Sequence, residues 1–254
     1  MTFRPDRRVL AAAVLICWVV GIVVLAQRRH EISDADLLSR GALRLEPATY
    51  FYAVSQDSRP IGYASSAIDT TAGGFTSRDI VRARALIAGD SQSFTASATA
   101  YLTRGFALDS FALSVGGARA PFRMRGKPEP HYGVLLPSLA PIALMLMREP
   151  RVGATTQRWL FNAVARRVER VTLTIAAESL FRVVDSASFD SARRFWVAAH
   201  TDTIRAWKIA TPSRAISAWV DSQGRIVSAS EPGGTTLTRT AYEIATLNPK
   251  LQIK

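Results

Sequence analysis

Few side chains in the 254-residue chain could serve as nucleophile, base or metal ligand, and their spacing restricts the chemistry further. The histidines are His30, His131 and His200. His200-Thr201-Asp202 puts a His and an Asp on one face of a strand, the spacing of a metal pair, but no third or fourth ligand can be named beside it, and zinc needs them. A solvent-exposed strand end is the simpler account of that pair. Asp185 and Asp190 offer paired carboxylates on one reading and turn residues flanking Ser186 to Ser191 on the other, the second being the simpler. Cys17 is the single cysteine, so the chain beyond it has no thiol nucleophile, no Cys-based zinc site and no internal disulfide. The chain has no Gly-rich phosphate loop, no G-x-S-x-G elbow and no H-E-x-x-H. A Ser, His and Asp hydrolase has candidates by composition only. No catalytic residue, metal or cofactor is therefore assigned.

The aromatic and methionine residues point elsewhere. Phe94, Phe111, Leu139, Ile142, Met145, Met147, Trp159, Phe161, Trp196, Trp207 and Trp219 are numerous enough to line a cavity for an apolar ligand such as a lipid or acyl chain. The competing account is an ordinary packed core, which needs no ligand.

The address of these residues follows from Val9 to Ala26, an uncharged apolar stretch that as a helix would reach about 27 Å, close to the hydrocarbon thickness of a bilayer. Arg4, Arg7 and Arg8 in the 1–8 segment favour a cytoplasmic amino terminus, which places the rest of the chain outside the cytoplasm of a single-pass inner-membrane protein. Val24 and Ala26 also fit a signal-peptidase site, which would release a soluble domain. The length of the apolar run and the lack of a polar region before Gln27 favour the retained anchor. Cys17 lacks the small preceding residue of a lipidation site and reads as a helix filler.

The net charge is +12, and Arg greatly outnumbers Lys. Such a skew, in a chain rich in Ala, matches a GC-rich coding sequence. The densest groups, Arg119/Arg123/Arg125 and Arg166/Arg167/Arg170, lack the interleaved aromatics of a single-strand nucleic-acid platform. A solvated basic surface is expected, with no nucleic-acid partner.

Residues 27–48 read as a connector in which Ser33 or Asp34 caps a short helix ended by Gly41 and Pro47. Residues 49–245 read as one β domain, and 246–254 as a polar tail. Phe94, Ala96, Ala98, Ala100 and Leu102 alternate with Thr95, Ser97, Thr99 and Tyr101, the period of a half-buried strand. Phe111, Leu113 and Val115 repeat it. Ser138 to Met147 reads as a short helix, apolar nearly all the way round and too short to span a bilayer. It fits a plug buried by the sheet or a segment in the membrane interface, the plug being the general rule. The spacing predicts two strands over Ser179 to His200, joined near Ser186 to Ala192, and a hairpin closed by Asp221-Ser222-Gln223-Gly224. In all, about 11–12 strands are expected with one buried helix.

YFYAVSQDSRPIGYASSAID, with Tyr52 and Ile61-Gly62-Tyr63, is similar to the opening of exported bacterial domains found upstream of transglutaminase-like modules. SAWVDSQGRIVSASEPGGTTLTRTAYEIA resembles the end of the same domain. That class resembles the periplasmic lipoprotein-carrier half-barrel, in which a curved antiparallel sheet wraps a helix and leaves an apolar cavity. The resemblance, over roughly Thr49 to Ala245, implies a mainly β fold, a half-barrel around one short apolar helix, and the Val9 to Ala26 stretch sets a single transmembrane helix before it. Together they give the expectation of a non-catalytic, membrane-anchored envelope domain binding an apolar ligand or an envelope protein. The alternatives are an adaptor for a transglutaminase-like or peptidase partner, and an envelope hydrolase. No transglutaminase module with its Cys, His and Asp follows within these residues.

Overall fold

The computed structural model describes residues 34–87, 90–117, 121–128, 133–163, 165–212, 217–230 and 234–248. The Val9 to Ala26 segment expected to span a membrane lies outside them, as does His131. No helix among the described residues is long and apolar enough to cross a membrane.

The fold is mainly β. Its strands are β1 (Ala48–Gln56), β2 (Arg59–Thr71), β3 (Gly74–Ile87), β4 (Asp90–Thr103), β5 (Leu108–Gly116), β6 (Phe122–Gly126), β7 (Val134–Leu135), β8 (Thr155–Asn162), β9 (Arg167–Asp190), β10 (Phe195–Ala210), β11 (Ser217–Val220), β12 (Ile226–Ser230) and β13 (Thr235–Thr240). Among the described residues three α-helices accompany them, α1 (Asp34–Ala42), α2 (Ala140–Met147) and α3 (Tyr242–Thr246), with a 3-10 turn at Pro137–Leu139 leading into α2. All strands form one sheet in the order β6-β5-β4-β3-β2-β1-β13-β12-β11-β10-β9-β8-β7. Two meanders thus meet where β1 pairs antiparallel with β13, Tyr52 opposite Arg239. The pairing is antiparallel throughout except between β7 and β8.

The sheet is strongly curved. Strands β5 and β8 stand ten places apart in the order, about 48 Å in a flat sheet, yet the Phe111 and Phe161 rings they carry lie 4.7 Å apart. Residues from both halves, among them Ile68, Phe75, Leu102, Phe111, Leu173 and Ile209, meet in one core. α2 occupies its middle, with every residue but Leu146 buried. A helix apolar on all sides has no face to offer water, so only enclosure by the sheet can satisfy it. The two ends of the sheet, β6 and β7, do not pair, and the structure stays unclosed.

Two elements differ from the sequence expectation. The Ser179 to His200 stretch belongs to a longer hairpin: β9 runs unbroken for 24 residues and turns only at 191–194. Its distal half pairs with β10 alone, since β8 covers Arg167 to Thr174 and β11 covers Trp207 to Ala210. This ribbon folds back on the sheet's outer face, where Val183 and Ala206 pack with Val227, Phe181 and Trp219. Ser186-Ala187-Ser188 carry no large apolar residue to mark a face, which is why the sequence reads as broken there and not at 191–194. The sequence pattern predicts a last strand over Leu237 to Ile244, but the final strand ends at Thr240 and Tyr242 to Thr246 form α3.

Candidate functional site

The sheet's inner face carries two kinds of surface. Over α2 it is filled: Leu139, Ile142, Met145, Met147, Phe111 and Trp207 are each at most 8% exposed and belong to the main core. Beyond the helix N-terminus the inner faces of β3 to β6 are uncovered. There a cleft of about 540 Å³ lies between Val81, Ala96, Ala98, Leu113, Val115 and Phe122 on one side and Ala163 and Arg166 of the β8–β9 turn on the other. It is the gap left where the sheet fails to close, and its volume lies within the roughly 300–1,000 Å³ of small-ligand sites.

Asp79 of β3 is the one acid in this lining. The register sets Asp79 opposite Ser66 on β2, and Ser66 Oγ donates to Asp79 Oδ1 across 2.6 Å. The Ser138 hydroxyl, just before α2, bonds the same carboxylate. Burial among apolar walls pushes the Asp79 carboxyl well above the usual carboxylate range, against the two hydroxyl bonds and the field of Arg225, which favour the charged form.

Next to Asp79 runs a polar seam that holds the two meanders together. Arg239 Nη1 lies 2.9 Å from Asp221 Oδ2, and its guanidinium stacks 3.7 Å from the Tyr50 ring centre. Asp221 Oδ1 accepts from the backbone N–H groups of Gln223 and Arg225, fixing the β11–β12 turn. Arg225 is 2% exposed; its Nη2 donates to the Glu46 carbonyl at 3.2 Å, while Nε and Nη1 have no hydrogen-bond partner. Burial lowers its pKa. Tyr52, opposite Arg239, is fully buried, and that burial raises its phenol pKa.

The sequence candidates for a cavity lining are therefore dispersed. Six lie in the packed core, and Phe161 packs against it. Trp219 lies under the ribbon, its ring 5.0 Å from Phe181, and Trp196 stands at the ribbon's tip, 5.5 Å from Phe189. Trp159 is 43% exposed, with Arg170 5.9 Å above its ring. Phe94 is half-buried on β4. Two of the eleven border clefts: Met147 a polar one of about 500 Å³ with Arg148, Glu149 and Arg151, and Trp159 one of about 390 Å³ beside α1. None lines the apolar cleft. Its walls are the smaller residues between the aromatics, Ala96 and Ala98 above all, and Asp79 carried no sequence signal beyond an acid within an alternating strand.

A second cluster lies on the ribbon. Asp185 joins His200 and Asp202, the partner the sequence could not supply, with His200 Nδ1 2.9 Å from Asp185 Oδ1 and 3.8 Å from Asp202 Oδ1. All three side chains are exposed. The hydrogen bond to Asp185, then the charges of Asp185 and Asp202, raise the His200 pKa, and the same bond lowers that of Asp185. The arrangement is an exposed ion pair that could take a cation, with nothing buried to enclose one. Asp190 caps the ribbon turn, accepting from the Arg193 N–H at 3.0 Å.

No family model matches the chain, and no curated protein matches it. Among solved structures the chain is similar to a DUF1089 family protein from Pseudomonas aeruginosa, at 10% identity over 69% of this chain and 92% of that one, with a TM-score of 0.39.

Proposed function

We propose that the chain is a non-catalytic, membrane-anchored domain of the cell envelope whose half-barrel binds an apolar ligand in the cleft beside Asp79. The observation that carries this reading is the cleft itself: about 540 Å³ between the unpaired ends of a curved sheet, walled mainly by Val, Ala, Leu and Phe with Ser97, Ser114, Asp79 and Arg166 beside them. Apolar walls left open to water cost free energy, at about 25 cal/mol per Å², that a ligand recovers on binding. The Val9 to Ala26 stretch supports the anchor, with residues 49–245 outside the cytoplasm and the membrane as a standing partner.

A neutral solvatochromic dye titrated into the full-length chain tests the site. Binding is expected for the natural sequence and loss of binding for Ala98→Trp, whose indole fills the cleft. Equal binding to both proteins, or to neither, would remove the reading. A second reading is an adaptor for an envelope protein, such as a transglutaminase-like enzyme or a peptidase. It is favoured by Leu180 and Phe189 on the ribbon, 67% and 54% exposed. Crosslinking in cells from Leu180 would return a partner on that reading and none on the first.

A further inference from the structure

We infer that the ligand of this cleft is an amphiphile with a primary ammonium group, held by Asp79 while its apolar part lies over β3, β4 and β5. The inference rests on the cleft being a binding site, and adds the chemistry of the head group. A carboxylate has about four acceptor positions. The hydroxyls of Ser66 and Ser138 occupy two of those on Asp79. No cation lies within ion-pair distance of Asp79 among the described residues, so acceptor capacity remains on a side chain that lines the cleft. Val81, Ala96, Ala98, Leu113 and Val115 supply nothing that can donate to it, and Ser97 and Ser114, also in the lining, alternate to the other face of their strands, where their hydroxyls bond each other at 2.9 Å.

The ligand must therefore bring the donor. A carboxylate or ester head has no proton to give, and a carboxylate adds a second negative charge. An ammonium brings three donors and the missing countercharge, and in apolar surroundings that pairing is stronger than in water.

The other charged groups around Asp79 do not take this role. Arg225 reaches it only through space from the β11–β12 turn, its Nη2 donating to the backbone carbonyl of Glu46. Arg239 and Asp221 pair with each other. Tyr52 stays neutral in its buried position. Arg166, on the opposite wall, is exposed. Burial raises the Asp79 pKa and an ammonium ligand pairs with the ionised form, so binding weakens as the pH falls through the raised value.

The test uses photoreactive alkyl probes of equal length, one with an amine head and one with a carboxylate head, applied to the full-length chain in its membrane. Labelled peptides are read by mass spectrometry. The amine probe is expected to label the strands between Asp79 and Val115 about tenfold more than the carboxylate probe, with octylamine competing and octanoate not, as one charge-assisted pair would give. Asp79→Asn should erase the preference while leaving the strands labelled. Equal labelling by the two probes, or preference for the carboxylate, overturns the ammonium assignment even if Asp79→Asn fails to fold, since the unaltered chain supplies the comparison. Labelling of those strands by neither probe would instead sink the binding reading beneath it.

Discussion

Asp221 accepts from Arg239 Nη1 at 2.9 Å with one carboxylate oxygen and from two backbone N–H groups of its own turn with the other. One side chain thereby ties the β11–β12 turn to β13 at the joint between the meanders. Both partners are only about one-seventh exposed, at 14% and 15%. Asp221→Ala leaves Arg239 without its counterion and frees the turn, so a loss of about 3 kcal/mol in urea unfolding is expected. Asp221→Asn keeps an acceptor for the turn and should lose less. Equal losses would mean that the ion pair, not the turn bonds, holds the joint.

The pair formed by His200 and Asp185 has a pH window whose limits follow from the directions of the two shifts. The raised His200 value means that its contribution is complete below the ordinary histidine pKa of 6.5 and is lost as the pH rises through the raised value. The lowered Asp185 value means that its contribution is complete above 3.8 and is lost as the pH falls through the lowered one. Ribbon order should thus be greatest between those limits. An NMR titration should place the His200 midpoint above 6.5, and Asp185→Asn should lower it more than Asp202→Asn, because Asp185 supplies the hydrogen bond. A midpoint unmoved by Asp185→Asn would refute the pairing in solution.

At the β1–β2 turn, Asp57 and Ser58 hold φ of 49° and 63°, the left-handed region usual for two-residue hairpin turns. A side chain there costs roughly 1 kcal/mol relative to glycine. Ser58→Gly should therefore stabilise the protein by up to about that amount, since Ser58 is exposed and the turn is already formed. A lowered midpoint in thermal unfolding would mean that the gain in unfolded-chain entropy outweighs the relief of strain.

The alternating faces of β4 and β5 and the all-round apolar helix were legible because each depends on local spacing alone. Phe94 to Leu102 can put five apolar residues on one side only as a strand, and Leu139 to Met147 can be satisfied only by enclosure. The curvature was not legible in the same way, because it depends on Phe111 and Phe161 meeting across ten strands, a relationship that no window of sequence contains. The location of the cleft follows from that curvature. Large aromatic residues were the natural candidates for a lining, yet large residues fill space, and the opening lies where Ala96 and Ala98 leave it unfilled. Asp185 likewise joins His200 only through the irregular register around Ala198 to Thr201, which brings residues 15 apart into contact.

Gly224 supplies the link between the β11–β12 turn and the buried helix. Its φ is +76°, and a Cβ built on it would lie 2.4 Å from Ile142 Cα and 2.6 Å from the Pro141 carbonyl oxygen. Both neighbours are backbone of the first turn of α2, which cannot move without disturbing the core around Leu139 and Ile142. Gly224→Ala combines a left-handed strain with overpacking, so a loss of about 2–4 kcal/mol is expected. The same shift would drag Ser138, at the head of that helix, away from Asp79. Gly224→Ala should therefore weaken dye binding in the cleft beyond its effect on stability, whereas a core variant remote from the turn, such as Leu173→Ala, should lower stability by a similar amount and leave dye affinity unchanged. Equal affinity in both variants at a temperature where both are folded would show that the turn does not position the cleft.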